Sequence, residues 1–284
     1  MKRFRIISPA KVNLRLDILE KRQDGYHELR TIFQKISLHD TLFFTLKEEK
    51  GVWIQTNHPD LPTGRSNLVF KAAHLILKRS HYKGGILIQI KKRIPVGAGL
   101  GGGSSNAAAT LCALNQMLAM GLTQEELMEI GVKIGADVPF FLYKWGAAIG
   151  SGIGERLEKI ELPLLFYVLI YPNFEVSSRW AYQNFLLTKK EFHFNLHQLL
   201  TTPQRISSFL WNDLEQVVSH RYQEIAMMKE MLLSVGALGS LMSGSGPTVF
   251  GIFSSEEASK KAKQKIKKKI KERGWKTFHA HSLV

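Results

Sequence analysis

The chain has 284 residues, enough for one large domain or two modest ones, and its 44% apolar and 10% aromatic residues supply a buried core, which excludes a disordered chain. Its 39 Lys and Arg against 24 Asp and Glu give +15, leaving nucleic acid, an anionic membrane or an acidic small molecule as candidate partners. A single cysteine, Cys112, excludes an internal disulfide framework and a cysteine-based zinc cage and fits a reducing compartment; among Leu111, Ala113 and Leu114 it reads as core packing.

Lys2, Arg3 and Arg5 are followed by an apolar stretch cut by Pro9 and Lys11, so no signal-peptide core is expected. The longest apolar run, 162–171, is too short for a membrane helix, and a soluble cytoplasmic protein is expected. Val12, Leu14, Leu16 and Ile18 alternate with Lys11, Asn13, Arg15 and Asp17, predicting a half-buried strand whose polar face carries both Lys11 and Asn13. Further strands are expected at 29–37, 40–47 and 52–56. Ser66 opens a helical pattern with Val69, Ala72, Ala73 and Ile76 on one face, ending before Gly84.

A strand at 86–90 precedes a glycine-rich loop from Pro95 to Gly103, after which Ser104-Ser105-Asn106 opens an alanine-rich helix to about Met120. Thr123 and Glu126 form a capping box for a helix stopping near Gly135. A second block carries a strand at 164–171, helical segments to about Ser234, strands at 240–242 and 248–253 around a glycine turn, a basic helix and a last strand. The stretch 146–160, rich in glycine and charge, is the expected boundary between two α+β domains, 1–158 and 159–284.

Between Pro95 and Ala108, five glycines let the backbone approach a ligand, and the helix behind them offers unpaired N–H groups to an anion. Gly97, Gly99 and Gly102 satisfy G-x-G-x-x-G, but the acids about 20 residues on, Glu125 and Glu126, fall in a helix rather than at a strand end, which disfavours a Rossmann site. A Walker loop would need Gly-Lys-Ser/Thr, which is missing. Asp137, in Gly135-Ala-Asp-Val-Pro139, reads either as a cap of the next turn or as a carboxylate that pairs with Lys11 and activates a hydroxyl beside a triphosphate. Asp24-Gly-Tyr26-His27-Glu28 reads either as a plain hairpin or as a stacking surface for a ring. Ser243-Gly-Ser-Gly246 reads as a hairpin turn or an anion-binding nest.

In this order, Ser8-Pro-Ala-Lys11-Val-Asn13, the 95–108 loop, Gly135-Ala-Asp137 and Ser243-Gly-Ser-Gly-Pro247 resemble the GHMP kinase superfamily, nearly end to end. The resemblance implies an α+β, two-domain fold: an N-terminal domain with a left-handed β-α-β nucleotide site and a ferredoxin-like C-terminal domain. It implies ATP along Pro95, Val96, Gly97, Ala98, Gly99, Leu100, Gly101, Gly102, Gly103, Ser104 and Ser105, with Asn67 near the nucleoside. It also implies Mg²⁺ bridging the phosphates at Ser104 or Ser105. Asp137 corresponds to the catalytic base and Lys11 to its partner at the transferring phosphate, while Asn13 holds the acceptor.

Within the superfamily, the Asp24–Glu28 element is similar to that of the branch whose acceptor is a cytidine diphosphate ester. That similarity places Tyr26 and His27 at the cytosine, with Tyr182, or else Trp180, as the second aromatic. A monomer or homodimer without nucleic-acid or membrane partners is implied. Another kinase of the superfamily and a basic nucleic-acid-binding protein remain as alternatives, the latter without a recognised motif. Nine basic residues and one acid between Lys260 and Arg273 carry +8, leaving +7 for the other 270 residues. Ala258, Ala262, Ile266 and Ile270 recur every four positions there, predicting an amphipathic helix with its lysines in solvent.

Overall fold

The computed structural model describes residues 3–187 and 202–284; the part of the helical expectation over 188–201 lies outside them. The chain forms two compact units, each drawn from several stretches. The first comprises 1–10, 39–96 and 101–144, and the second 11–38, 97–100 and 145–284. Two long strands, β1 (Phe4–Lys21) and β2 (His27–Lys47), contribute to both.

In the first unit, residues 41–47 of β2 pair antiparallel with β4 (Gly85–Lys91), which pairs parallel with β3 (Val52–Thr56). The parallel pair needs a crossover, supplied by α1 (Leu68–Arg79). Val69, Ala72, Ala73 and Ile76 are its buried face, as their spacing predicts, and they pack with α2 (Gly102–Met117), α3 (Gln124–Ile134) and α4 (Val138–Leu142) in one apolar core. The capping box of α3 is present in both directions: the Thr123 N–H donates to Glu126 at 2.8 Å, and the Glu126 N–H donates to Thr123 Oγ1 at 3.3 Å.

In the second unit, β5 (Ala147–Gly152) pairs antiparallel with residues 29–34 of β2 and with β6 (Arg156–Ile160). The glycine-rich stretch 146–160 is therefore a paired hairpin, and position 158 lies inside its second strand. Here β7 (Phe166–Tyr171) leads through α5 (Ser178–Gln183), α6 (Pro203–Ser208), the two-residue β8 (Trp211–Asn212), α7 (Asp213–Arg221) and α8 (Glu224–Ser234). The chain then continues through β9 (Gly239–Met242), β10 (Val249–Phe253), α9 (Glu256–Lys269) and β11 (Lys276–His281). The sheet order β11-β7-β10-β9, antiparallel throughout, is the ferredoxin-like arrangement.

Two expectations change. Residues 29–47 form one strand rather than two: β2 runs unbroken through the expected gap at 38–39, where Leu38 is buried. Residues 11–18 form a strand as predicted, but its polar face is buried too: Lys11, Asn13 and Asp17 are all at most 4% exposed. Helix α9 is amphipathic as read, with Ala262, Ile266 and the following Ile270 buried and most of its lysines exposed. Its acids, Glu256 and Glu257, sit in the first turn and Lys267, Lys268 and Lys269 in the last, matching the helix dipole. No helix among the described residues is long and apolar enough to cross a membrane.

Candidate active site

Helix α2 begins at Gly102, two residues before the serines. Its N-cap is Gly101 at φ +65°, and no side chain caps it. The first-turn N–H groups are thus left without the side-chain cap that usually satisfies them, the condition under which a helix start takes an anion. Ser105 cannot serve as a cap, because its hydroxyl accepts from Ser8 Oγ at 2.7 Å and it is 1% exposed. Gly103 is exposed and Ser104 partly so. Ser104 Oγ lies 3.9 Å from the position of a Cβ on Gly135, so this hydroxyl neighbours the Gly135-Ala136-Asp137 segment.

Asp40 ties this region together. It is fully buried and accepts from Lys92 Nζ at 2.5 Å, from the Arg93 and Ile94 N–H groups at 2.7 and 2.9 Å, and from Asn106 Nδ2 at 3.0 Å. Arg93 and Ile94 immediately precede Pro95, and Asn106 stands in the second turn of α2. One carboxylate therefore holds the backbone before the glycine loop and the helix after it. Asn106 also donates to Ser8 Oγ at 2.8 Å, which fixes the Ser8–Ser105 contact. A Cβ on Gly102 would meet Lys92 Nζ at 3.2 Å, placing the buried ammonium under the first turn.

Asn67 is the N-cap of α1: its Oδ1 accepts from the Val69 N–H at 2.9 Å and its Nδ2 donates to the Pro62 carbonyl at 2.6 Å. Asp137 occupies the N-cap position of α4, but its side chain makes no capping bond there, and it is partly buried. The alternative in which Asp137 merely caps the next turn is therefore not realised.

Lys11 and Asn13 belong to the second unit. Lys11 Nζ donates to Asn13 Oδ1 at 2.5 Å and stands 5.4 Å from the centre of the Phe33 ring. Asn13 Nδ2 donates to Thr31 Oγ1 at 2.8 Å. A Cβ on Gly244 would lie 3.2 Å from Asn13 Oδ1 and 3.4 Å from Lys11 Nζ, so the 243–246 turn covers this pair.

The same turn supports the 97–100 part of the loop. Ser243 Oγ donates to the Gly99 carbonyl at 3.0 Å, and the Thr248 and Lys11 N–H groups donate to Ala98 and Leu100 at 3.4 and 3.0 Å. With Ala98 and Leu100 buried and φ positive at Gly97, Gly99 and Gly101, the backbone alternates as in an anion-binding nest. Gly99 has no room for a side chain, since a Cβ would meet the Ser243 carbonyl at 2.1 Å. The nest expected at 243–246 is not formed in full: the Ser243 N–H bonds Thr248 and the Gly246 N–H bonds Ser243. That turn acts as a support. Pro95 and Val96, ahead of it, are partly exposed.

In the Asp24–Glu28 element the acids build the loop and the aromatics are displayed by it. Asp24 accepts from the Tyr26 N–H at 3.0 Å and pairs with Arg22, while Glu28 accepts from the Gly152 N–H at 3.1 Å and pairs with Arg156. Tyr26 is 60% exposed. The His27 ring stacks on Tyr182, with centroids 5.4 Å apart and planes 25° apart. Tyr182, on α5, thus joins the hairpin aromatics, whereas Trp180 packs edge-on against Tyr222. Asp40, Lys92 and the supporting role of Ser243 escaped the sequence reading; a lone acid between Leu38 and Leu42 was the available signal for the first.

The family models for the GHMP kinases N terminal domain and the GHMP kinases C terminal domain match residues 67–144 and 195–272. The chain belongs to the GHMP kinase family, and is an ATP-dependent small-molecule kinase. Its close relatives narrow that class. It is 48% identical over 261 residues, 92% of this chain and 93% of the relative, to the 4-diphosphocytidyl-2-C-methyl-D-erythritol kinase of Citrifermentans bemidjiense. A crystal structure of 4-(cytidine 5'-diphospho)-2C-methyl-D-erythritol kinase superposes with TM-score 0.83 at 32% identity, covering 98% of this chain and 99% of that one. Homoserine kinase from Cytophaga hutchinsonii shares the fold at 24% identity and TM-score 0.76, covering 100% of this chain and 96% of that one.

Two outcomes follow from this geometry. Asp40→Ala strands Lys92 as a buried, unpaired charge and is expected to cost about 3–5 kcal/mol of stability in urea unfolding, with Asp40→Ala/Lys92→Met recovering part of the loss; equal stabilities for the single and double variants would contradict this. Burial first, and the Lys21 charge second, lower the His27 pKa from 6.5. A folded-state pKa below the unfolded one means that the stabilising contribution is present above about pH 6.5 and is lost as pH falls through the folded value. An NMR titration should therefore show the His27 imidazole titrating below 6.5, and a midpoint above that would refute the half-buried, stacked placement.

Proposed function

We propose that the chain transfers the γ-phosphoryl group of ATP to the 2-hydroxyl of 4-diphosphocytidyl-2-C-methyl-D-erythritol, giving the 2-phosphate and ADP, in the non-mevalonate route to isopentenyl diphosphate. The observation that carries the substrate is the His27–Tyr182 stack, a partly exposed aromatic pair that begins next in sequence to the exposed Tyr26. Rings so placed suit a pyrimidine, whose edge the histidine and the hairpin backbone can hydrogen-bond.

In this reading residues 95–105 hold the triphosphate. The alternating backbone of 97–101 and the uncapped start of α2 supply N–H donors to it, and Asn67 stands near the nucleoside. Asp137 accepts the proton of the attacking hydroxyl, Lys11 offsets charge on the transferring phosphate, and Asn13 orients the acceptor. Phosphoryl transfer asks mainly for positioning and charge neutralisation, which these groups provide without covalent chemistry by the protein.

Mg²⁺ fits the donor set. The partly exposed Ser104 hydroxyl, beside the Gly135-Ala136-Asp137 segment, is an oxygen donor of the kind that a cation otherwise held by phosphate and water takes. Ser104 would be its hydroxyl partner, since the Ser105 hydroxyl is engaged with Ser8. When bound, the cation neutralises phosphate charge. A cytoplasmic setting and a family domain division at 158/159 complete the proposal; the two matched segments fall on either side of that division.

Purified protein with Mg-ATP should release ADP with the cytidyl substrate in preference to mevalonate, homoserine and galactose, and CMP should compete with it. Faster turnover of any of the other three would overturn the substrate. Asp137→Ala is expected to lower kcat by at least about a hundredfold while leaving the circular dichroism spectrum unchanged; near-normal turnover would remove Asp137 from the chemistry.

A further inference from the structure

Glu175 has no part in the reading above, yet its side chain lies on the glycine loop. A Cβ on Gly97 would meet Glu175 Cδ at 2.6 Å and Oε2 at 2.8 Å, so the carboxyl group occupies the space that Gly97 leaves open. Its neighbours pin this placement. Phe174, before it, stacks on Tyr222 with centroids 4.9 Å apart, and Val176, after it, is buried. Asn173 takes φ +65° where the chain turns, and Ser178 Oγ meets Ser245 Oγ at 2.7 Å. The residue itself is exposed and open to solvent ions. Its charge also reaches Tyr171, whose hydroxyl pKa is raised by burial first and by Glu175 second.

A carboxylate is the wrong sign of charge for a loop that cradles phosphates. Beside a triphosphate it repels the bare nucleotide, and the repulsion becomes attraction when a divalent cation arrives with the phosphates. Mg²⁺ in nucleotide sites commonly takes one or two carboxylates and fills its remaining positions with phosphate and water. One pinned, solvent-open carboxylate on the loop is that complement.

We infer that Glu175 is the protein carboxylate that receives the divalent cation of the nucleotide, so that the loop accepts Mg·ATP and disfavours metal-free ATP. This rests on residues 95–105 being the ATP loop. The inference concerns binding and is read without turnover.

Calorimetric titration of ATP into the full chain, once in excess Mg²⁺ and once in excess EDTA, gives the ratio of the two dissociation constants. Glu175→Gln should shrink that ratio about tenfold, by weakening the first and tightening the second, and Glu175→Asp should keep most of it. A control at Gly103 tests the underlying loop reading separately. Gly103 is exposed and a Cβ there meets only Leu68 Cδ1, at 3.6 Å, so Gly103→Glu is accommodated and should repel metal-free ATP, read in excess EDTA. If Gly103→Glu loses ATP while Glu175→Gln keeps the parent ratio, the role of Glu175 is refuted and the loop reading stands. If Gly103→Glu binds ATP like the parent chain, the loop reading falls and the inference falls with it.

Discussion

A carboxylate removed from water costs several kcal/mol unless its lone pairs are met by donors. Asp40 meets that condition with four, and their origin gives the interaction its reach: a lysine and two backbone N–H groups come from the segment entering the glycine loop, and an asparagine comes from the helix leaving it. A flexible run of glycines flanked on both sides by one satisfied charge is far more ordered than its composition suggests. The start of α2 can therefore go without a side-chain cap, because the fold around it is secured elsewhere.

The second unit repeats this logic with neutral groups. Three consecutive carbonyls of residues 98–100 are taken by Thr248, Ser243 and Lys11, which turns this backbone inward at its oxygens. The Ser243–Gly246 turn does double service, covering the Lys11–Asn13 pair while gripping Gly99. The carbonyls of 98–100 and the Lys11 ammonium are thus held by bonds within this unit, and their positions are fixed before any ligand arrives.

What was legible in the sequence was local. The apolar stripe of α1, the capping box of α3 and the Ala/Ile face of α9 rest on neighbours three or four residues away, and they appear where the spacing puts them. Asp40 was illegible as a structural centre, because its partners lie more than fifty residues downstream; read locally, it is only the first residue of the strand expected at 40–47. The polar face of β1 looked solvent-bound for the same reason, since Thr31 and Ser243 supply the partners that allow Asn13 to be buried. In the site, the loop and Asp137 were visible as motifs, whereas Tyr182 came only from family resemblance; its contact with His27 depends on tertiary folding. Glu175 had no motif at all. Its meaning lies in the missing side chain of Gly97.

The interleaving of the two units along the chain bears on biosynthesis. A ribosome that has released residue 144 has delivered everything the first unit contains, so that unit can close while the rest is still being made. The second unit, by contrast, takes in 11–38 and must keep that early segment waiting until β11, at 276–281, has emerged. During that interval the side chains of Leu16 and Ile18 are made but not yet covered by their later partners, a state in which chains are prone to aggregate. The positively charged helix α9 is made just before that last strand, so most of the second unit's chain and nearly all of its charge are present before its sheet can be completed.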